Sequence, residues 1–202
     1  GGTSWFAGNV SASVGWATTL GASSTSTVSD FANSDFIVSG NIILRLPATD
    51  TDIAFGGRSL TLTNGGGLTL KKNVNDGNRN VTINDLRVVG AGSINMAQDL
   101  SQFTLKGAVT VAPDAALTFA FGLSASAADK RALVMDAAIT GDETTSLVIS
   151  GSGTTSQSQS SPLTLNNVGN FFGTIKTAGS PRQPSLVVNG AYGGTLTDLP
   201  AE

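Results

Sequence analysis

Short apolar–polar–apolar triplets recur along the chain from about residue 36 onward, separated by turn residues. Alternation with a period of two places both apolar members on one face, which indicates a half-buried β-strand. Thr recurs as the polar member, since its branched side chain favours strands and tolerates water. The clearest triplets begin at Leu60, Leu68, Val81, Phe103, Val109, Leu117, Leu147 and Leu163. The way these short faces are buried together decides which folds the chain can adopt.

The triplets advance along the chain in groups of three. The groups begin at Ile53, Leu60 and Leu68, then Val81, Leu86 and Ile94, then Phe103, Val109 and Leu117, then Leu133, Ile139 and Leu147. From one group to the next, the second and third triplets advance along the chain by the same number of residues. The first triplets advance by slightly different numbers. Equal steps on two faces indicate coils in which the corner between those faces has a constant length, while the other corners vary in length. Repeats of about 20–30 residues cannot bury their own apolar face, which favours a solenoid.

The spacing therefore predicts an all-β fold, a right-handed parallel β-helix of about five to six coils, on the order of 25–30 Å long. Glycine- and Asn-rich segments at 64–67, 76–78, 90–92 and 151–153 are predicted to form its corners. The alternative is a β-sandwich, which predicts longer strands and tighter hairpins than these three-residue triplets. The only helix candidate, residues 125–135, is predicted to form one short turn.

Residues 1–30 differ in texture from the rest of the chain. Trp5, Phe6 and Trp16 stand among Ser, Thr, Ala and Gly. Because aromatic rings bury large areas, we predict that residues 1–30 cap the open end of the core. An extended arm that pairs with a neighbouring subunit and a sugar-stacking patch are the alternatives. Residues 31–202 are predicted to form the β-helix coils, and the Gly1 start is interpreted as a mature or excised piece.

Composition excludes several classes of protein. Hydrophobic residues make up 40% of the chain and charged residues 12%, with a net charge of −3, which is unlike a wholly disordered chain. The longest basic run is Lys71–Lys72, so the positive stripe that nucleic acids require is missing from the sequence. No apolar run approaches the length that spans a bilayer as a helix.

The sequence also limits the available chemistry, because it contains neither His nor Cys. The commonest general base, the usual zinc ligands and the cysteine nucleophile are therefore missing. Asp50 and Asp52 could place two carboxylates on one side of a strand, as glycoside hydrolysis requires, but they are interpreted as a solvated turn. Asp142 and Glu143 are interpreted as a corner in the same way. We predict no catalytic residues.

Three polar or glycine-rich segments are likewise interpreted as structural. Residues 73–78 lack the alternating acidic ligands of a calcium loop, and residues 65–67 lack the Gly-Lys-Ser/Thr of a phosphate loop. Residues 156–161 form a Ser/Gln tract, predicted to be a protruding loop. Asn166 and Asn167 are predicted to stack at a corner with Asn residues of other coils. We predict no cofactor and no metal site.

One stretch carries a family resemblance. Residues 163–175 contain a Leu-x-Leu strand, an Asn followed by an aromatic, Gly-Thr and a strand, and residues 186–190 read Leu-Val-Val-Asn-Gly. This arrangement resembles the autotransporter-associated β-strand repeat of large secreted bacterial proteins. Residues 55–62 are similar to a Phe-Gly-Gly-x-Ser-Leu-x-Leu stretch of related surface proteins. The segment 177–185, with two prolines, departs from the short Gly-rich turn of the family.

The resemblance implies a β-helical fold and an extracellular, surface-bound or fibrous role, with no enzymatic site. We therefore expect a non-catalytic structural or adhesive module, secreted or at the cell surface of a bacterium. It would stack head-to-tail with itself or with neighbouring repeats. The alternative is a carbohydrate-binding or carbohydrate-active module, with Trp5, Trp16 and Tyr192 as stacking residues. A phage or contractile-tail fibre segment, which would be an obligate trimer, is the third hypothesis.

Overall fold

The computed structural model describes residues 30–40, 43–46, 51–70, 78–96, 102–122, 132–152, 162–179 and 185–198. Within these ranges the secondary structure is entirely β, without a helix. The strands are β1 (Asp35–Val38), β2 (Ile43–Arg45), β3 (Ile53–Ala54), β4 (Ser59–Thr63), β5 (Gly66–Leu70), β6 (Asn78–Val89), β7 (Ala91–Met96), β8 (Gln102–Val111), β9 (Ala116–Gly122), β10 (Ala132–Met135), β11 (Ala138–Gly141), β12 (Ser146–Ser152), β13 (Leu163–Leu165), β14 (Asn170–Phe171), β15 (Thr174–Gly179), β16 (Leu186–Val188) and β17 (Thr195–Thr197). In these ranges no helix that could cross a membrane is found.

The strands form two parallel sheets that wind around a common core. A 7-stranded sheet has the order β17-β15-β12-β9-β7-β5-β2, which we name the third face. A 10-stranded sheet supplies the other two faces. Its first face contains β3, the start of β6, the start of β8, β10, β13 and β16, and its second face contains β1, β4, the ends of β6 and β8, β11 and β14. Each strand thus lies beside its counterpart one circuit away, and the predicted parallel β-helix is confirmed.

Register on the second face agrees with the predicted spacing. Leu60 pairs with Leu86, Leu86 with Val109, and Val109 with Ile139. All four side chains are buried, at 0–1% exposure. The predicted steps between these positions are therefore real circuits of the solenoid.

Two of the predicted register steps are wrong by two residues. On the third face Ile94 pairs with Phe119, not with Leu117. On the first face Val81 pairs with Leu105, and it is Arg79 that lies beside Phe103. A slip of two residues keeps every side chain on its own side of the sheet, so alternation alone cannot detect it. The third face therefore does not keep step with the second between these two coils.

The core consists of columns of inward side chains that run along the axis. One column on the third face contains Leu44, Leu68, Ile94, Phe119 and Ile149, each at most 2% exposed. Burial of one such side chain is worth about 1.5–3 kcal/mol. Stacking at about 4.8 Å per strand makes the seven strands of this face about 29 Å deep, consistent with the predicted length.

Two local expectations also differ from the structure. Residues 132–135 form strand β10 rather than part of a helical turn, and residues 125–131 lie outside the described ranges. Strands are not uniformly short, because β6 has 12 residues and β8 has 10. These two strands continue around the corner between the first and second faces. A register shift between Ile83 and Leu86, opposite Gly107 at φ 108°, makes that bend.

Candidate functional site

The N-terminal end of the solenoid is closed by phenylalanine rings. The ring of Phe31 lies 4.3 Å from that of Phe36 and 5.7 Å from that of Phe55. Phe36 is 4% exposed and Val38 is 2% exposed, although both belong to the first described coil. Gly57 permits this packing, because a Cβ there would overlap the rings of Phe36 and Phe55. The first coil is therefore as well buried as the middle of the rod.

A short polar turn holds Phe31 in place. The carboxylate of Asp30 accepts hydrogen bonds from the side-chain amide of Asn33, at 2.9 and 3.1 Å. The backbone N–H of Ser34 donates to the carbonyl of Phe31 at 3.2 Å. The predicted cap residues Trp5, Phe6 and Trp16 lie outside the described residues. The aromatic closure that the structure does describe begins at Phe31, just beyond the predicted boundary.

The C-terminal end is open. Leu196 occupies an inward position beside Ile175, yet it is 46% exposed whereas Ile175 is fully buried. Leu186 and Val188 are half-buried beside Leu163 and Leu165, which are 0% exposed. Among the described strands, β16 pairs with β13 alone and β17 with β15 alone. Within the described residues, this end therefore presents apolar side chains and two strand edges that no further strand pairs with.

A ladder of polar side chains reaches the open end along the corner after the first face. The side-chain amide of Asn166 donates to the carboxylate of Asp136, and that of Asn189 donates to Oδ1 of Asn166 at 2.8 Å. The amide of Asn167 donates to the backbone carbonyl of Asp136 at 2.7 Å. The predicted stacking of Asn166 with an Asn of another coil is confirmed. Asn167 instead binds the backbone.

Tyr192, one of the predicted sugar-stacking residues, packs against the protein. Its ring stacks on Phe171 with centroids 6.3 Å apart and an interplanar angle of 13°. Its hydroxyl lies 2.7 Å from the carbonyl oxygen of Gly173, to which it donates. Burial raises the pKa of the Tyr192 phenol. One face of the Tyr192 ring and its hydroxyl are therefore occupied by contacts within the C-terminal coils. The other predicted stacking residues, Trp5 and Trp16, lie outside the described ranges.

An exposed aromatic that sequence reasoning missed lies nearby. Phe172 is 50% exposed and lines an open surface cavity of about 250 Å³ together with Asp142, Glu143 and Thr144. The predicted corner at Asp142 is confirmed, since the N–H of Thr145 donates to its carbonyl. Its carboxylate accepts from the hydroxyl of Thr144 at 2.7 Å. Strand alternation carries the missing signal: once Phe171 points inward, Phe172 must point outward.

The carboxylates considered for hydrolysis have structural partners where the structure describes them. Asp52 accepts hydrogen bonds from the backbone N–H of Asn80 at 2.9 Å and from its side-chain amide at 2.7 Å. These bonds lower the pKa of Asp52 and join two coils. Asp50, residues 73–77 and residues 156–161 lie outside the described ranges. In the described part of the chain, no group of three or more acidic side chains could hold a metal ion.

Two charged features were not predicted. Arg79 is fully buried at an inward position of the first face, and its Nε donates to the carbonyl of Thr51 at 2.7 Å. At the second face, Arg58 Nε donates to Asp35 at 2.9 Å, and the hydroxyl of Ser59 donates to the same carboxylate at 2.6 Å. These hydrogen bonds, that of Arg58 foremost, hold the pKa of Asp35 well below its usual range.

No family model, curated protein or solved structure matches this chain. What the described residues offer is a stacking surface with a definite direction: a closed first coil, a last coil with bare apolar side chains, and a polar ladder that ends beside them. Such an arrangement can bind a further β-coil by backbone pairing and apolar burial.

Proposed function

We propose that this chain is a non-catalytic structural or adhesive module of a bacterial surface assembly, and that its open end stacks on the coil of a neighbouring repeat. The observation that carries the proposal is the difference between the two ends. Phe36 and Val38 in the first coil are at most 4% exposed, whereas Leu196 in the last described coil is 46% exposed. Apolar side chains at a sheet edge gain free energy when another strand covers them.

The closed end argues for a neighbouring repeat rather than a fibre of identical copies. A head-to-tail fibre would require the open end of one copy to pair with the first coil of the next. That coil is already covered where the ring of Phe31 lies 4.3 Å from Phe36. Identical copies would have to displace this packing, while a different β-coil would not.

Composition and the repeat resemblance support the location outside the cell. Charged residues make up only 12% of the chain, and Thr, Ser and Asn occupy many of the outward-facing, partly exposed positions of the described strands. The stretch at residues 163–175 resembles repeats of large secreted bacterial proteins. A rigid rod with a hydroxyl-rich surface suits a role in extending or anchoring a surface protein.

Single cysteines test both parts of the proposal, because the chain contains none of its own. Leu196→Cys and Ile37→Cys form a matched pair, since both positions are 46% exposed in the isolated chain. Both variants should react equally with a membrane-impermeant maleimide after purification. On intact cells of the producing bacterium, Ile37→Cys should still react while Leu196→Cys should be protected by the neighbouring coil.

Two outcomes would contradict the proposal. If neither variant reacts until the cells are permeabilised, the chain is not at the surface. If both react equally on intact cells, the open end is not a contact surface.

A further inference from the structure

We propose that the polar ladder at the open end selects the neighbour: the occupant is a parallel β-coil of a neighbouring repeat that places a side-chain N–H donor, such as an Asn amide, beneath Asn189. This inference rests on the proposed stacking function and deepens it by naming the partner's chemistry. It is carried by three features: the direction of the ladder, the apolar pattern of the last coil and the composition of the chain's own two ends.

Asp136 fixes the direction of the ladder. The side-chain amide of Asn166 donates to a carboxylate oxygen of Asp136, so its nitrogen faces that coil. The Oδ1 of Asn166 then faces the next coil, where it accepts from Nδ2 of Asn189 at 2.8 Å. Asn189 is left with its Oδ1 as the terminal acceptor, and no donor to this atom is found among the described residues. The ladder therefore ends in an acceptor at the open end.

The backbone and the apolar side chains specify the rest of the occupant. All neighbouring strands pair in parallel, and β16 and β17 leave their outer edges free within the described ranges. A coil that continues the rod must place apolar side chains over Leu186, Val188 and Leu196, which are the half-exposed inward positions. It must therefore contain an apolar-x-apolar strand followed directly by the donor residue.

The described ends of a second copy of this chain do not supply that chemistry. Two open ends facing each other would bring the Oδ1 of one Asn189 against that of the other, acceptor against acceptor. Among the described residues at the closed end, the same column of the first face begins with Ala54, which pairs with Thr82 and has no side-chain donor. The matched occupant is therefore the coil of a neighbouring repeat rather than a second copy of this chain.

The probe that tests this is the protein's own last circuit. Ile175 pairs with Leu196, so the segment 176–196 makes up one complete circuit. A second copy of this segment, inserted directly after Leu196 in the full chain, would place a copied Asn beneath Asn189 in register. The tether keeps this coil at a high effective concentration. We expect the thermal midpoint of the extended chain to rise above that of the natural chain.

The matched control carries Asp in place of the copied Asn. At pH 7 this carboxylate would face the Oδ1 of Asn189 without a proton to donate, so the folding equilibrium constant should be about tenfold lower than with Asn. Below pH about 4 the acid is protonated and can donate, so the difference should shrink. Urea denaturation of the two extended chains at pH 7 and pH 3 measures both effects.

The outcomes distinguish selection of the neighbour by the polar ladder from the stacking of a coil on the open end. Equal stabilisation by the Asn and Asp coils at pH 7 would overturn the selection by the ladder and leave the stacking function in place. No stabilisation by either coil would overturn both. Should an extended chain fail to fold, Asn189→Asp in the natural chain provides the second measurement: it removes the donor to Asn166, and it must destabilise the protein more at pH 7 than at pH 3.

Discussion

At the scale of single residues, the charged groups that the structure describes act mainly to join coils. The carboxylate of Asp35 accepts from Arg58 and from Ser59, which belong to the next coil. Both side chains of the ion pair are largely exposed, at 62% for Arg58 and 44% for Asp35. The pair therefore contributes modestly to stability, and its clearest signature is its dependence on pH.

We expect Asp35→Asn to lower stability at neutral pH and to flatten the acid end of the stability profile. The folded chain holds the pKa of Asp35 below its ordinary value of about 3.9. The stabilisation is therefore complete above that pH and is lost as the pH falls through the lower, folded value. Urea denaturation between pH 7 and pH 2 should show the gap between wild type and variant narrowing below pH about 4. Arg58→Gln should flatten the profile in the same way, and an unchanged profile in both variants would refute the pairing.

Sequence reasoning missed Arg79 and Phe172. Only their positions in the inward–outward alternation of the strands indicated where their side chains point. Arg79 lies two residues before Val81, on the same side of β6, so it points inward although it is charged. A buried guanidinium requires hydrogen-bonding partners that composition cannot reveal, and one of them is the carbonyl of Thr51 in the preceding coil. Phe172 was missed in the opposite sense, because it is apolar but must point outward.

At the scale of the strand and its corner, Gly173 directly precedes strand β15 and lies against the preceding coil. This contact requires a residue without a Cβ. A Cβ at Gly173 would overlap the hydroxyl and carbonyl oxygens of Thr145. At Gly169, in the same coil, the nearest atom to an added Cβ would be the carbonyl oxygen of Ala191 at 3.8 Å. The two glycines therefore form a matched pair.

We expect Gly173→Ala to destabilise the protein by about 1–3 kcal/mol, as overpacking typically does. Gly169→Ala should change the free energy of unfolding by no more than about 0.5 kcal/mol. Chemical denaturation of both variants measures the difference. Equal effects would mean that the corner is not packed as described.

Much of the fold could be predicted from the strands, because inward and outward positions follow from alternation and the circuits follow from spacing. The second face from Leu60 to Ile139 was correct in every step. The slips at Phe119 and Leu105 could not be found, since both neighbouring apolar positions point inward and only packing chooses between them. The exposure of Leu196 was equally hidden, because it depends on what lies beyond the last coil and not on its own triplet.

At the scale of the whole molecule, the rod has two different ends, and this asymmetry is what the proposed function uses. Phenylalanine rings cover the first coil, and the last described coil leaves apolar side chains and strand edges bare. Both statements depend on the chain winding around one axis, with each strand directly beside its counterpart one circuit earlier. That winding is the central claim.

Distances along one outward column test the winding directly. Ile37, Thr110, Thr140 and Asn170 belong to the same column of the second face, three, four and five strand spacings apart. Spin labels on Ile37→Cys paired with a cysteine at each of the other three positions, measured by double electron–electron resonance, should give separations that rise in order, centred on about 14, 19 and 24 Å. Separations that break this order, or that do not grow by about one strand spacing per coil, would contradict the β-helix and everything built on it.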